Sequence, residues 1–148
     1  MKKLITLLSA LTLSVSVFAE VEVNHPYARA VPPGQPNSAA FMMLKNHSSD
    51  AIALTSAESS VAKAVELHTH TQADGVMIMR RISEIDIAAN TTVELKPGGH
   101  HIMLIGLNRN LAIDETIDLK LNFNDGSSQQ LEVKVQDVMT AMSKKHSH

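Results

Sequence analysis

Residues 116–138 read TIDLKLNFNDGSSQQLEVKVQDV. Ile117, Leu119, Leu121 and Phe123 alternate with polar residues, and Leu131, Val133 and Val135 do the same beyond the break at NDGS. Period-two alternation on both sides of such a turn is the pattern of two antiparallel strands with one buried face. The rest of the chain keeps the same rhythm. Strands are expected at VEVNHPYARAV (21–31, with Pro26 as an irregularity), AAFMMLKN (39–46), AIALTSAES (51–59), VAKAVELHTH (61–70) and GVMIMRRISEI (75–85). IAANTTVELKPGG (87–99) contains a short one, and HHIMLIGL (100–107) is another. Turn residues separate them at PPGQPNS (32–38), HSSD (47–50), Thr71–Asp74 and Pro97-Gly98-Gly99. Many short, evenly spaced strands predict an all-β chain, a Greek-key β-barrel or sandwich. The single rival is SAESSVAKAVEL (56–67), which would also suit a helical turn. The last ten residues, MTAMSKKHSH (139–148), lack an apolar pattern and are expected to form a flexible tail.

The first residues, MKKLITLLSALTLSVSVFAE, have the layout of an export signal: Lys2 and Lys3, an apolar run from Leu4 to Val17, and Val17-Phe18-Ala19 as a cleavage site. Residues 1–19 are therefore expected to be a signal peptide, residues 20–138 one domain, and the destination a periplasm. No further segment is apolar enough to span a membrane. Removing two lysines with the signal leaves 11 basic against 15 acidic residues, a formal charge of −4, which argues against nucleic acid as a partner. The chain has no cysteine. That excludes a disulfide framework, thiol redox chemistry, Cys-ligated zinc and a blue-copper electron-transfer site. Against scarce aromatics, eight methionines and eight histidines stand out.

Two short pieces present imidazole and thioether together. In GGHHIMLIGL (98–107), His101 and Met103 lie two apart on a strand and share a face, while His100 and Ile102 take the other. In ELHTHTQADGVMIMRR (66–81), any even-length loop puts His68, His70, Met77 and Met79 on one face. A turn at Ala73-Asp74 would set His68 opposite Met79; the stronger signal, Asp74-Gly75, would set His70 there instead. Thioethers are soft, neutral ligands that suit Cu(I), whereas Mg²⁺ and Ca²⁺ demand oxygen. The best ligand set is His68, Met79, His101 and Met103, with His70 as an accessory candidate. Taken singly, each Met reads as core packing and each His as a surface or hydrogen-bonded residue. At least one of Met42 and Met43 is assigned to the core, His25 and His47 to structural or solvent-facing positions, and His100 to the rim. Met139, Met142, His146 and His148 repeat the same ligand types in the tail. They form a possible secondary site that would favour Cu(II).

The spacing His68, ten residues, Met79, twenty-one residues, His101-x-Met103 resembles the mark of the periplasmic copper chaperones of the PCuAC type. YARAVPPGQPNSAAFMMLKN, VELH, GVMIMR, GGHHIMLIGL and LNFNDG are also similar to blocks of that family, so the resemblance covers nearly the whole mature chain. It implies a cupredoxin-like β-barrel without the cupredoxin cysteine. It also implies Cu(I) binding for delivery, with a link to assembly of the copper centre of cytochrome oxidase. One departure is local: Thr69 and His70 follow the first histidine, where family members often carry methionine. The reading is thus a periplasmic, monomeric, non-enzymatic copper chaperone. It would release Cu(I) by ligand exchange to an oxidase subunit or a Sco-like thiol protein. The alternatives are a copper or zinc buffer without a dedicated acceptor, and a structural β-sandwich module.

Overall fold

The computed structural model describes residues 20–145; the expected signal peptide, His146 and His148 lie outside the described residues. Ten strands and one helix follow in order: β1 (Val21–Arg29), β2 (Asn37–Asn46), β3 (Ile52–Glu58), β4 (Ala62–Ala73), β5 (Val76–Arg81), β6 (Ile85–Ile87), β7 (Thr92–Leu95), β8 (His101–Leu107), β9 (Thr116–Phe123), β10 (Ser128–Gln136) and α1 (Val138–Lys145). The all-β expectation is met, and the β9–β10 hairpin has the foreseen alternation. Ile117, Leu119, Leu121, Phe123, Val133 and Val135 are all buried. Its loop closes with Phe123 N–H donating to Ser127 O and Ser127 N–H donating to the Asp125 carboxylate.

Four boundaries differ from the sequence reading, each for a physical reason. The rival helical turn at 56–67 does not form: β3 and β4 flank a tight turn where Ser60 N–H and Oγ–H both donate to the Asp118 carboxylate of β9. β4 runs on to Ala73, and the turn is Asp74-Gly75 alone. The segment 75–85 splits, because Ile82 N–H turns inward to Leu67 O and Ile85–Ile87 pairs with β3 instead. The tail is helical from Val138 to Lys145. Asp137 starts that helix: its carboxylate accepts from Met139 N–H and its carbonyl from Ala141 N–H, an N-cap that the alternation of the preceding strand conceals.

The strands form one open sheet in the order β5-β4-β8-β2-β1-β10-β9-β3-β6, with β7 paired to β2. β1 pairs parallel to β10, which joins the first and last of these strands. β2 pairs with β8 through residues 37–40 and with β7 through residues 42–45. Inward residues of nearly every strand, among them Met42, Leu44, Leu54, Leu67, Ile102, Leu104 and Leu119, make one core. Of the Met42–Met43 pair, Met42 is in the core. Ala39 and Phe41 are buried but outside that core. They sit on the face of β2 that points away from that core.

Candidate metal centre

The β4–β5 hairpin turns on Asp74 and Gly75, with φ of 51° and 78°. Two positive φ values make the type I′ loop that Asp-Gly favours. The even loop preserves parity, and the ladder sets His70 opposite Met79 and Arg81 opposite His68. On the other side of β4, His68 faces His101 and Glu66 faces Met103 in β8. Directly opposed residues point to the same side of a sheet. Glu66, His68, His70, Met79, Arg81, His101 and Met103 therefore share one face of three adjacent strands. β2 extends that face, with Ala39 opposite Met103.

A cleft of about 500 Å³ opens on this face. His70, Met79, His101 and Met103 line it, walled by Phe41, by the loop around Pro32 and by the turn at Pro97-Gly98. Three of the four motif residues thus meet in one cleft, joined by His70. His68 stands at its margin, its ring centroid 5.8 Å from that of His101; the His70 centroid is 5.2 Å from the same ring. His101 is 3% exposed and Met79 46% exposed, so the cleft runs from a buried imidazole to an open thioether.

Neighbouring groups fix which ring nitrogens are free. The turn at Lys96–Gly99, closed by Gly99 N–H donating to Lys96 O and Lys96 N–H donating to His100 O, aims the Gly99 carbonyl at the rings. His101 Nδ1–H donates to it at 3.0 Å and His70 Nδ1–H weakly at 3.5 Å. Both Nε2 lone pairs remain available, the arrangement in which histidine ligates a metal. His68 is the reverse. Its Nε2–H donates to the Glu66 carboxylate at 2.8 Å, and its Nδ1 is buried without a partner. A buried acceptor left unpaired is costly, and a metal ion on Nδ1 would satisfy it.

The electrostatics agree with a neutral ligand set. Burial pulls the His101 imidazole below its ordinary value, more than the Gly99 hydrogen bond raises it, and the neighbouring His70, His68 and Arg29 lower it further. The Glu66 carboxyl is held below the usual range by its hydrogen bond to His68, and Arg81, 3.6 Å away, adds to that. Arg29 stacks over Phe41, 5.7 Å from the ring centroid, and Phe41 lies 6.3 Å from His101. Among the described residues, no group of three or more His, Asp or Glu is positioned to hold a metal ion. A metal held in this cleft would draw on the thioethers.

The other candidates lie elsewhere. His100 is outside the cleft, with a buried and unpartnered Nδ1. His47 pairs with Glu22 at the surface. Met139 and Met142 stand on α1, 74% and 45% exposed. Sequence reasoning passed over Glu66 and Arg81, although both lie two positions from a motif residue on the same strand face, where period two could have found them.

Residues 21–135 match the LpqE-like lipoprotein family. The chain belongs to that family. The LpqE-like protein is 36% identical over 118 residues to lipoprotein Lxx21020 of Leifsonia xyli subsp. xyli (strain CTCB07), covering 79% of this chain and 70% of that one. Among solved structures it is similar to Cu(I)-bound DR1885 from Deinococcus radiodurans, with 33% identity, 78% of each chain covered and a TM-score of 0.63. The apo form of DR1885 is 30% identical over 93% of this chain and 95% of that one, at a TM-score of 0.62. The copper-bound PCuAC domain from PmoF2 superposes with a TM-score of 0.69 over 82% of this chain and 96% of the domain. At 18% identity that likeness establishes the fold, and the expected cupredoxin-like architecture is the one observed. No helix among the described residues is long and apolar enough to cross a membrane.

Proposed function

We propose that this LpqE-like protein is an exported, monomeric copper chaperone. It would hold Cu(I) between His68, Met79, His101 and Met103 and pass it to an acceptor such as the copper centre of cytochrome oxidase or a Sco-like thiol protein. The observation that carries the reading is the shared face of β4, β5 and β8. Three adjacent strands offer imidazole nitrogens with free lone pairs and two thioethers to one cleft, and no ligand is charged. Such a set leaves Cu(I) with a net charge of +1 and disfavours Cu(II) and harder ions. The copper named in the structures of DR1885 and PmoF2 supports the same metal. Exposure of Met79 favours delivery over sequestration. An incoming thiolate reaches copper on the Met79 side, displaces the most weakly held thioether, and takes the ion by stepwise exchange. His70, opposite Met79, is the accessory candidate on that side of the cleft.

A Cu(I) titration of the signal-free protein against a competing chelator tests the proposal. Met103→Leu preserves apolar volume, so apo stability should change by less than about 1.5 kcal/mol, while Cu(I) affinity should fall by at least about tenfold. Normal copper binding by Met103→Leu would return that residue to packing and remove the site as proposed. Transfer to an apo acceptor then separates a chaperone from a buffer.

A further inference from the structure

A second cleft, of about 310 Å³, lies beyond the turn that walls the first, and Pro97 lines both. Its lining brings together His25, Met43 and Met142, from β1, β2 and α1. We propose that these three side chains form a second soft-metal site, for a monovalent d¹⁰ ion of the Cu(I) or Ag(I) class. Three observations support it. The β1–β2 ladder breaks between Asn24 and Tyr27, a bulge that takes His25 out of the register. His25 sits there at φ 51°, a left-handed conformation that only a few per cent of non-glycine residues adopt, His, Asn and Asp more often than others, and one disfavoured before Pro26. Strain of this kind is kept where the side chain it aims has a task. Met43 is the outward-facing neighbour of the core residue Met42 and is only half-buried, so its sulfur is not needed to fill the interior. Met142 is the methionine that α1 turns to the cleft, while Met139 on the same helix remains 74% exposed. The donor set is again one imidazole and two thioethers, a combination that selects soft ions; Glu94, opposite Met43, and Lys96 and Lys144 also line the cleft. The site shares no ligand with the first, so either can fail alone.

The test is titration of Ag(I), a redox-silent stand-in for Cu(I), into full-length signal-free protein carrying [methyl-¹³C]methionine, with resonances assigned by single Met→Leu variants. The expected result is that one equivalent moves the Met79 and Met103 methyls and a further equivalent moves Met43 and Met142 together. His25→Gln should weaken the second event by at least about tenfold and leave the first unchanged. A Met43 methyl that stays still through excess Ag(I) overturns the site, as does Met142 shifting only with Met139, which would assign the metal to the C-terminal segment. An unchanged second event in His25→Gln overturns it too. Stationary Met79 and Met103 methyls would count against the first site alone.

Discussion

Glu66 decides which nitrogen His68 offers. Its carboxylate accepts from His68 Nε2–H, so the free lone pair is on Nδ1, whereas the Gly99 carbonyl accepts from His101 Nδ1–H and leaves Nε2 free. Nitrogen-15 shifts of the Ag(I)-loaded protein should therefore identify Nδ1 of His68 and Nε2 of His101 as ligating atoms. Glu66→Gln places an amide that donates as well as accepts, so the tautomer is no longer fixed. Metal affinity should drop about tenfold with the fold intact. His101 also carries a pH signature. Burial sets its folded value below the ordinary 6.5. Below about 6.5 the unfolded chain takes up this proton before the folded one does. Apo stability should be at its plateau above that pH and decline as pH falls toward the folded value. Urea midpoints against pH should follow that course, and His101→Gln should flatten it. The shared face of these histidines and methionines was legible in the sequence, because parity along a strand is local. The partners of the ring nitrogens were not: Gly99 reaches His101 only through the fold of the Lys96–Gly99 turn.

Among the elements, the β4–β5 hairpin extends beyond the core. Val76, Met77, Ile78 and Met79 are 60%, 54%, 43% and 46% exposed, and β5 is an edge strand. Met79 turns to the cleft, while Ile78, opposite Thr71, faces away. Apolar side chains beside the open end of the cleft suit a brief contact with an acceptor. Ile78→Glu should leave Cu(I) affinity unchanged and slow transfer to the acceptor roughly tenfold, as read by stopped-flow mixing with apo acceptor. The hairpin's register was legible because Asp-Gly fixes a two-residue loop. Helix α1 was not, because its cap, Asp137, directly follows the last strand and its apolar residues are few.

For the whole molecule, alternation predicted most strands but could not order them. The parallel pairing of β1 with β10 brings distant segments together and leaves no local trace. Nor does Asn46, which is fully buried and donates from Nδ2 to the carbonyls of Asp50, Ile87 and Ala88. It ties β2 to the end of β6 and to the segment before β3. Asn46→Ala would strand those carbonyls and should cost about 1–3 kcal/mol, measured as a lower urea midpoint with metal affinity unchanged.

The β1–β10 pairing also governs when the chain can fold. Tyr27 meets Lys134, and Arg29 meets Gln136, so β1 has only β2 beside it until almost the last strand has emerged. Closing so long a loop is entropically late. A polypeptide threaded amino terminus first through a membrane pore would reach the pore without a finished sheet. For the exported protein proposed above, the pairing that completes the sheet would keep its precursor open until the last strand had followed the rest across.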